Sequence, residues 1–290
     1  VFLEKLTSKG MSLSHLPIPA MRHEFEQLPL SYAQQRQWFL WQLEPQSAAY
    51  NLPRALSLKG ELHGQQLAMA LQAVVDRHDI LRSSFHWLGL DSAHQVIQRQ
   101  VDVQLHVIED IDADFDALAE AEREKGFALN AAPLFRLMLV RGAGNAWYLI
   151  FTSHHILMDG WSNAQLLGEV IAHYAGQALP APLGQFRDYL GWLQQQASGE
   201  TFWKAALAPL QTPTLLAQAL RAPGDGMGTA EHQLILEGEF TQALGEFARR
   251  QKITLNTVLQ GAWSLLLQRY TGQDCVAFGA TVAGRSAPLP

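Results

Sequence analysis

The chain has 290 residues, 48% of them hydrophobic and 17% charged, with a formal net charge of −6 and a single cysteine, Cys275. Enough apolar material is present for a sizeable core. An internal disulfide is excluded, and without a long Lys/Arg run the mildly acidic chain is a poor candidate for nucleic acid or an anionic membrane. No apolar run reaches the roughly 20 residues of a membrane span. The charged segment Val1–Met11 lacks a signal peptide's apolar stretch, so the expected setting is the cytoplasm, reducing enough for one unpaired thiol.

Val1–Lys9 has the pattern of a helix end. Leu16-Pro17-Ile18-Pro19 has that of an extended linker, because a residue before proline avoids helical angles. Ser31 is placed to cap a helix running from Tyr32 to Leu40 or beyond. Ala55–Lys59 reads as a strand, and Gly60 and Gly64 bracket a turn. Gln65–His78 then sets Leu67, Ala70, Leu71, Val74 and Val75 on one helix face. Strands are expected at Ser84–Leu88, His94–Gln98 and Val103–Glu109, and a charged helix at Ala113–Lys125 ending on Gly126. Leu134–Arg141 and Trp147–Ser153, joined by Gly142–Asn145, form two hairpin arms. Both are apolar enough to lie deep in a sheet.

A tight stretch, His154–Asn163, leads into a helix over Ala164–Tyr174 that ends near Gly176, and Ala181–Pro182 marks a boundary. Helices follow around Phe186–Gln196 and Phe202–Leu207, then a Pro-, Gly- and Ala-rich crossover over 209–230. His232–Leu236 alternates as a strand. Thr241–Arg250 and Leu255–Tyr270 have apolar helix faces, and Val276–Val282 reads as a closing strand. Strands and helices intermix throughout, which predicts an α/β or α+β fold.

The chemistry concentrates in Ser153-His154-His155-Ile156-Leu157-Met158-Asp159-Gly160-Trp161-Ser162, between an apolar strand and a helix. Adjacent residues at a strand end point to opposite sides, so one histidine can face a cavity while the other supports the turn. Histidine titrates near neutrality and can move a proton at working pH. Asp159 can reach back, either to fix a histidine tautomer or to anchor the loop through an ion pair. Gly160 permits a positive φ or close approach of another group. Rival readings are a polar surface pair, a metal site of His154, His155 and Asp159, and a Ser-His-Asp triad. The last suffers because Ser153 and Ser162 lie in no nucleophile elbow.

The full pattern His154-His155-x-x-x-Asp159-Gly160 resembles the signature of nonribosomal peptide synthetase condensation domains, whose fold is related to chloramphenicol acetyltransferase. Other stretches resemble that family's motifs in order. They are Ser31–Leu40, then Arg77–Phe85 with Asp79 where Glu is usual, Gln185–Trp192, Phe202-Trp203, Asn256–Trp263, and Phe278-Gly279 to Gly284-Arg285-Ser286. The resemblance implies two lobes in a V with a tunnel between them. Residues 28–180 would be the complete N-terminal lobe with the active-site motif, and 181–290 a partial C-terminal lobe. Residues 1–27 would be a linker after an upstream carrier domain.

It also implies amide-bond formation between two thioesters. Upstream donor and downstream acceptor carrier domains would deliver them on phosphopantetheine arms, beside an adenylation domain. The domain itself would hold no cofactor or metal and act as a monomer within the synthetase. His155 is the expected catalytic residue, as general base or as a positioner of the attacking amine. His154, Asp159 and Gly160 support it, with Asp159 paired to Arg285. Trp161, Arg77 and Arg82 are candidates for tunnel lining or structural support, and Trp38, Trp192, Trp203 and Trp263 for packing. An epimerisation domain and a catalytically silent partner-recruiting module share the fold and stay open as alternatives, as does a stand-alone acyltransferase. A cyclisation domain is disfavoured, because Asp replaces the first histidine there.

Overall fold

Ser31 caps the first helix, and its hydroxyl and the Gln34 side chain satisfy each other's backbone N–H groups in a capping box. In this computed structural model the described residues are 27–90, 92–109, 114–143, 146–182, 184–220 and 232–281. Their contacts group into two units, one running to Gln196 and the other from Ala197 onward.

In chain order the first unit holds β1 (Leu28–Pro29), α1 (Tyr32–Leu43), β2 (Asn51–Lys59) and α2 (Gly64–Arg77). After a 3₁₀ turn at Asp79–Arg82 come β3 (Ser83–His86), β4 (His94–Ile97), β5 (Leu105–Ile108) and α3 (Phe115–Glu124). It closes with β6 (Phe135–Arg141), β7 (Ala146–His154), α4 (Gly160–Tyr174) and α5 (Phe186–Gln194). The second unit holds α6 (Glu200–Leu207), α7 (Leu216–Leu220), α8 (Gly238–Gln251) and α9 (Leu255–Thr271).

A small antiparallel sheet orders its strands β1-β4-β3, and a larger one β2-β7-β6-β5. In the larger sheet β6 and β7 form the expected hairpin. β7 also pairs antiparallel with β2 from Asn51↔His154 to Lys59↔Ala146. β5 lies parallel to β6, so the chain crosses over between them and carries α3 on the way.

One sheet face, with Leu149, Phe151 and Leu137, packs on Leu67, Leu71, Val74 and Val75 of α2 and Leu166 and Val170 of α4. The other, with Met138, Val140 and Ile150, meets Phe115, Leu118 and Ala119 of α3. Cover on both faces is why β6 and β7 read as nearly unbroken apolar runs. A buried carboxylate, Glu122, ties α3 to β6 through Arg136 at 2.8 Å and also pairs with Lys125 at the end of its own helix.

Several expectations need correction. β2 begins at Asn51 rather than Ala55, and Pro53 is tolerated because β2 is a sheet edge. α4 begins at Gly160 rather than Ala164, because Asp159 caps it. His232–Leu236 is not a strand: it makes no ladder, and Ile235 is 89% exposed. Alternation over five residues carries no fold information without a partner edge. Val276 to residue 281 is likewise irregular, with Val282 outside the described residues. The crossover over 209–230 contains the short helix α7.

The contact units divide after Gln196, and α5 is bound to the first of them. Gln185 Nε2 donates to the Arg77 carbonyl at 2.9 Å, and Arg187 pairs with Asp79 at 3.1 Å. The segments Val1–Lys9 and Leu16–Pro19 lie outside the described residues, as does most of the 1–27 linker. No helix among the described residues is long and apolar enough to cross a membrane.

Candidate active site

β7 ends on His154, and the next five residues turn the chain into α4. The turn is referenced to the sheet: Asn51 pairs with His154, and the His155 N–H donates to the Tyr50 carbonyl at 2.8 Å. Alternation at the strand end then separates the two rings.

His154 points inward and is 1% exposed. Its ring lies 6.3 Å from each of the Tyr50 and Phe127 rings, and its Nδ1 accepts the Ile156 N–H at 3.1 Å. Burial, reinforced by the neighbouring His155 charge, pushes its pKa down to about 4. At neutral pH this ring is an uncharged strut.

His155 is half-buried, with Nδ1 3.0 Å from the Met158 carbonyl oxygen. A carbonyl only accepts, so Nδ1 carries the hydrogen and the neutral ring presents its basic lone pair at Nε2.

Asp159 is the N-cap of α4. Its Oδ1 accepts the Ser162 N–H and hydroxyl, each at 2.9 Å, while its carbonyl accepts from Asn163 Nδ2 at 2.9 Å. Of the two roles open to Asp159 in the sequence, tautomer fixing falls instead to the Met158 carbonyl. Gly160, the first residue of α4, is not in the left-handed region, and among the described residues a Cβ there would meet nothing within 4 Å. Two buried polar atoms flank the turn without hydrogen-bond partners among the described residues, Ser153 Oγ and Asn163 Oδ1.

The remaining candidates are dispersed. Trp161, on the first turn of α4, is 68% exposed. Arg77 pairs with Glu169 at 3.1 Å, sharing that carboxylate with His78, and Arg82 pairs with Asp79 at 2.7 Å. Their ion pairs brace helices and the 3₁₀ turn rather than the 154–159 turn. Arg285 lies outside the described residues. Trp38 packs edge-on against Trp87 and Trp203 edge-on against Phe202, while Trp203 and Trp263 are 59% and 41% exposed. No group of three or more His, Cys, Asp or Glu among the described residues is placed to hold a metal ion.

Residues 25–289 match the condensation-domain family. The chain belongs to that family. This condensation domain is 37% identical over 248 residues to chondramide synthase cmdD of Chondromyces crocatus. It is 35% identical over 265 residues to tyrocidine synthase 2 of Brevibacillus parabrevis. Those alignments cover 80% and 89% of this chain but 6% and 7% of the relatives, so the domain spans a small part of the curated relatives it matches. Among solved structures it is similar to the X-domain from teicoplanin biosynthesis, at 28% identity and a TM-score of 0.72 over 87% of this chain and 59% of that one. The first condensation domain of the calcium-dependent antibiotic synthetase, at 22% identity and a TM-score of 0.64, shares the fold over 85% of this chain and 61% of that one. These likenesses bear out the mixed, chloramphenicol acetyltransferase-like fold.

Reading the sequence missed the domain's main-chain contributors, the carbonyls of Tyr50 and Met158, because backbone atoms leave no trace in residue identity. It also passed over the capping role of Asp159, for which there was a signal: Asp immediately before a run that continues as a helix is a preferred N-cap residue.

Proposed function

We propose that this condensation domain joins a thioester-bound acyl group to the amine of a second thioester-bound amino acid, forming a peptide bond in nonribosomal synthesis. The observation that carries the reading is the His155 ring, fixed through Nδ1 to a backbone carbonyl with Nε2 left as its basic nitrogen. The relatives are peptide synthases of many domains, which supports carrier and adenylation domains as neighbours. The phosphopantetheine arms belong to the carriers and arrive as part of the substrates. A chain with one thiol and no membrane-length helix among its described residues fits the cytoplasm, where such synthases and their activated amino acids meet.

In the reaction the neutral acceptor amine attacks the donor carbonyl carbon. A tetrahedral species forms with positive charge on nitrogen and negative charge on oxygen. Nε2 of His155 takes the proton that nitrogen must lose, the C–S bond breaks, and the proton passes to the departing thiolate. The products are an amide on the acceptor arm and a free thiol on the donor arm. A thioester needs no further activation, and holding the two reactants together supplies effective molarities of roughly 10⁵ M or more. A general base adds about 10²- to 10⁴-fold. Asp159 and His154 hold the turn from which His155 projects.

The test is to load two carrier domains with defined aminoacyl groups and look for the dipeptidyl product by mass spectrometry. His155→Ala is expected to lower its rate by about 100-fold or more without changing the melting temperature. Unchanged turnover in that variant removes His155 from the mechanism.

A second reading is favoured by one observation. The similar X-domain is also known in complex with OxyB, at 27% identity to this chain and a TM-score of 0.73. A partner-recruiting module would yield no dipeptide with any carrier pair and would bind a folded partner enzyme instead.

A further inference from the structure

Arg54 sits in the edge strand β2 opposite Phe151, on the sheet face that carries Leu52, Leu56 and Leu58. Phe151 belongs to the main core cluster and the partly buried Leu56 and Leu58 pack against it, so a cation stands in an apolar row. Its Nη1 is shielded from solvent and has no hydrogen-bond partner among the described residues. The arginine ion pairs described there belong to Arg77, Arg82, Arg123, Arg136 and Arg187, none to Arg54. Burial lowers its pKa, as for a cation whose counter-charge is missing.

A second unmet donor lies beside it. Ser153 is two residues along β7 from Phe151 and so is the diagonal neighbour of Arg54 on the same face. Diagonal neighbours are about 7–8 Å apart, within reach of a long side chain. Ser153 is 0% exposed and its Oγ has no partner among the described residues. Arg54 is three residues along β2 from Asn51, the partner of His154, or about 10 Å. Two donors without an acceptor therefore lie about one acyl chain's length from the His155 turn.

We propose that Arg54 determines substrate specificity by receiving, together with the Ser153 hydroxyl, a carboxylate carried on a thioester-bound acyl group. This rests on the reaction assigned above. The guanidinium fork matches a carboxylate through two parallel hydrogen bonds, a geometry that lysine does not reproduce. The phosphate of a pantetheine arm is the other anion the reaction brings, and the probes must separate the two.

Calorimetric binding of glutaryl-pantetheine and its uncharged amide analogue to the 290-residue chain tests the assignment without turnover. The glutaryl form is expected to bind about tenfold tighter or more, the value of a charge-assisted hydrogen bond. Arg54→Met erases that preference, and Arg54→Lys, which keeps the charge and endangers folding least, retains part of it. Equal affinities for the two probes, or a preference that survives Arg54→Met, overturn the proposal. If a 4′-phosphate on the amide probe tightens binding through Arg54 while the carboxylate does not, the arginine serves the arm and the proposal also fails.

A glutamyl-against-glutaminyl competition in the carrier assay separates this idea from the reaction itself. Selective binding without any dipeptide overturns the reaction and leaves Arg54 assigned. Dipeptide formation without glutamyl selectivity does the reverse.

Discussion

The two units of this chain are written in the same local language and end differently. α2 in the first unit, which has no side-chain N-cap, and α9 in the second are both long helices. α9 has a Thr254 cap and a left-handed Gly272 at its C-terminus. Yet α2 buries Leu67, Ala70, Leu71, Val74 and Val75, whereas α9 buries only Leu267. Trp263, Leu265, Leu259 and Tyr270 of α9 are exposed by 41–63%, as are Phe240 and Phe247 of α8 by 55% and 42%. Caps and propensity suffice to form a helix, but stability comes from packing the apolar face. The first unit has a sheet covered on both sides to pack against, and the described part of the second has only helices.

The contrast can be broken by substitutions of graded effect. The largest is expected at Phe85, 0% exposed and held by its N–H to the Leu129 carbonyl at 2.7 Å. Phe85→Ala should lower the unfolding free energy of the first unit by about 3–5 kcal/mol in urea titration. A loss under about 1 kcal/mol would show that the core is loosely packed.

Acid comes next. Unfolded, His154 takes up a proton near pH 6.5, while the folded ring refuses one until about pH 4. The unfolded state therefore binds more protons between those values, and stability falls as pH falls through that window. The total is roughly 3 kcal/mol, at 1.36 kcal/mol per pKa unit. Urea midpoints measured from about pH 7 to pH 4 should show this slope, and His154→Gln should flatten it. An identical slope in the variant would place the acid sensitivity elsewhere.

Asp159→Ala is a smaller change. Losing the α4 cap costs about 1 kcal/mol, with lower soluble yield and slower dipeptide formation. A variant with unchanged melting temperature but no activity would mean that Asp159 acts on the chemistry rather than on the turn. The smallest effect sharpens the contrast: Leu259→Ala, at a position 51% exposed in α9, should change stability by less than about 0.5 kcal/mol.

Helices and the central hairpin were legible because their signals are local. Ser31 announces α1, Gly126 ends the α3 segment, and β6 and β7 are too apolar to lie anywhere but inside. What failed was long-range. His232–Leu236 has a strand's alternation but no partner edge, and the extension of β2 back to Asn51 depends on pairing with a strand far along the chain. The site divided in the same way. The histidines and Asp159 could be named from their spacing. The atoms that orient His155 are carbonyls of Tyr50 and Met158, which any residue would supply.

The ladder between β2 and β7 also bears on the order of folding. The β6–β7 hairpin closes over a few residues, but bringing Asn51 to His154 closes a loop of about a hundred, which is entropically slow. The bond from the His155 N–H to the Tyr50 carbonyl exists only after that late step, so an early intermediate with the hairpin alone has the local contact to Met158 but lacks the anchor to the segment before β2. Pulse-labelled hydrogen exchange should accordingly protect amides paired between β6 and β7 before those paired between β2 and β7.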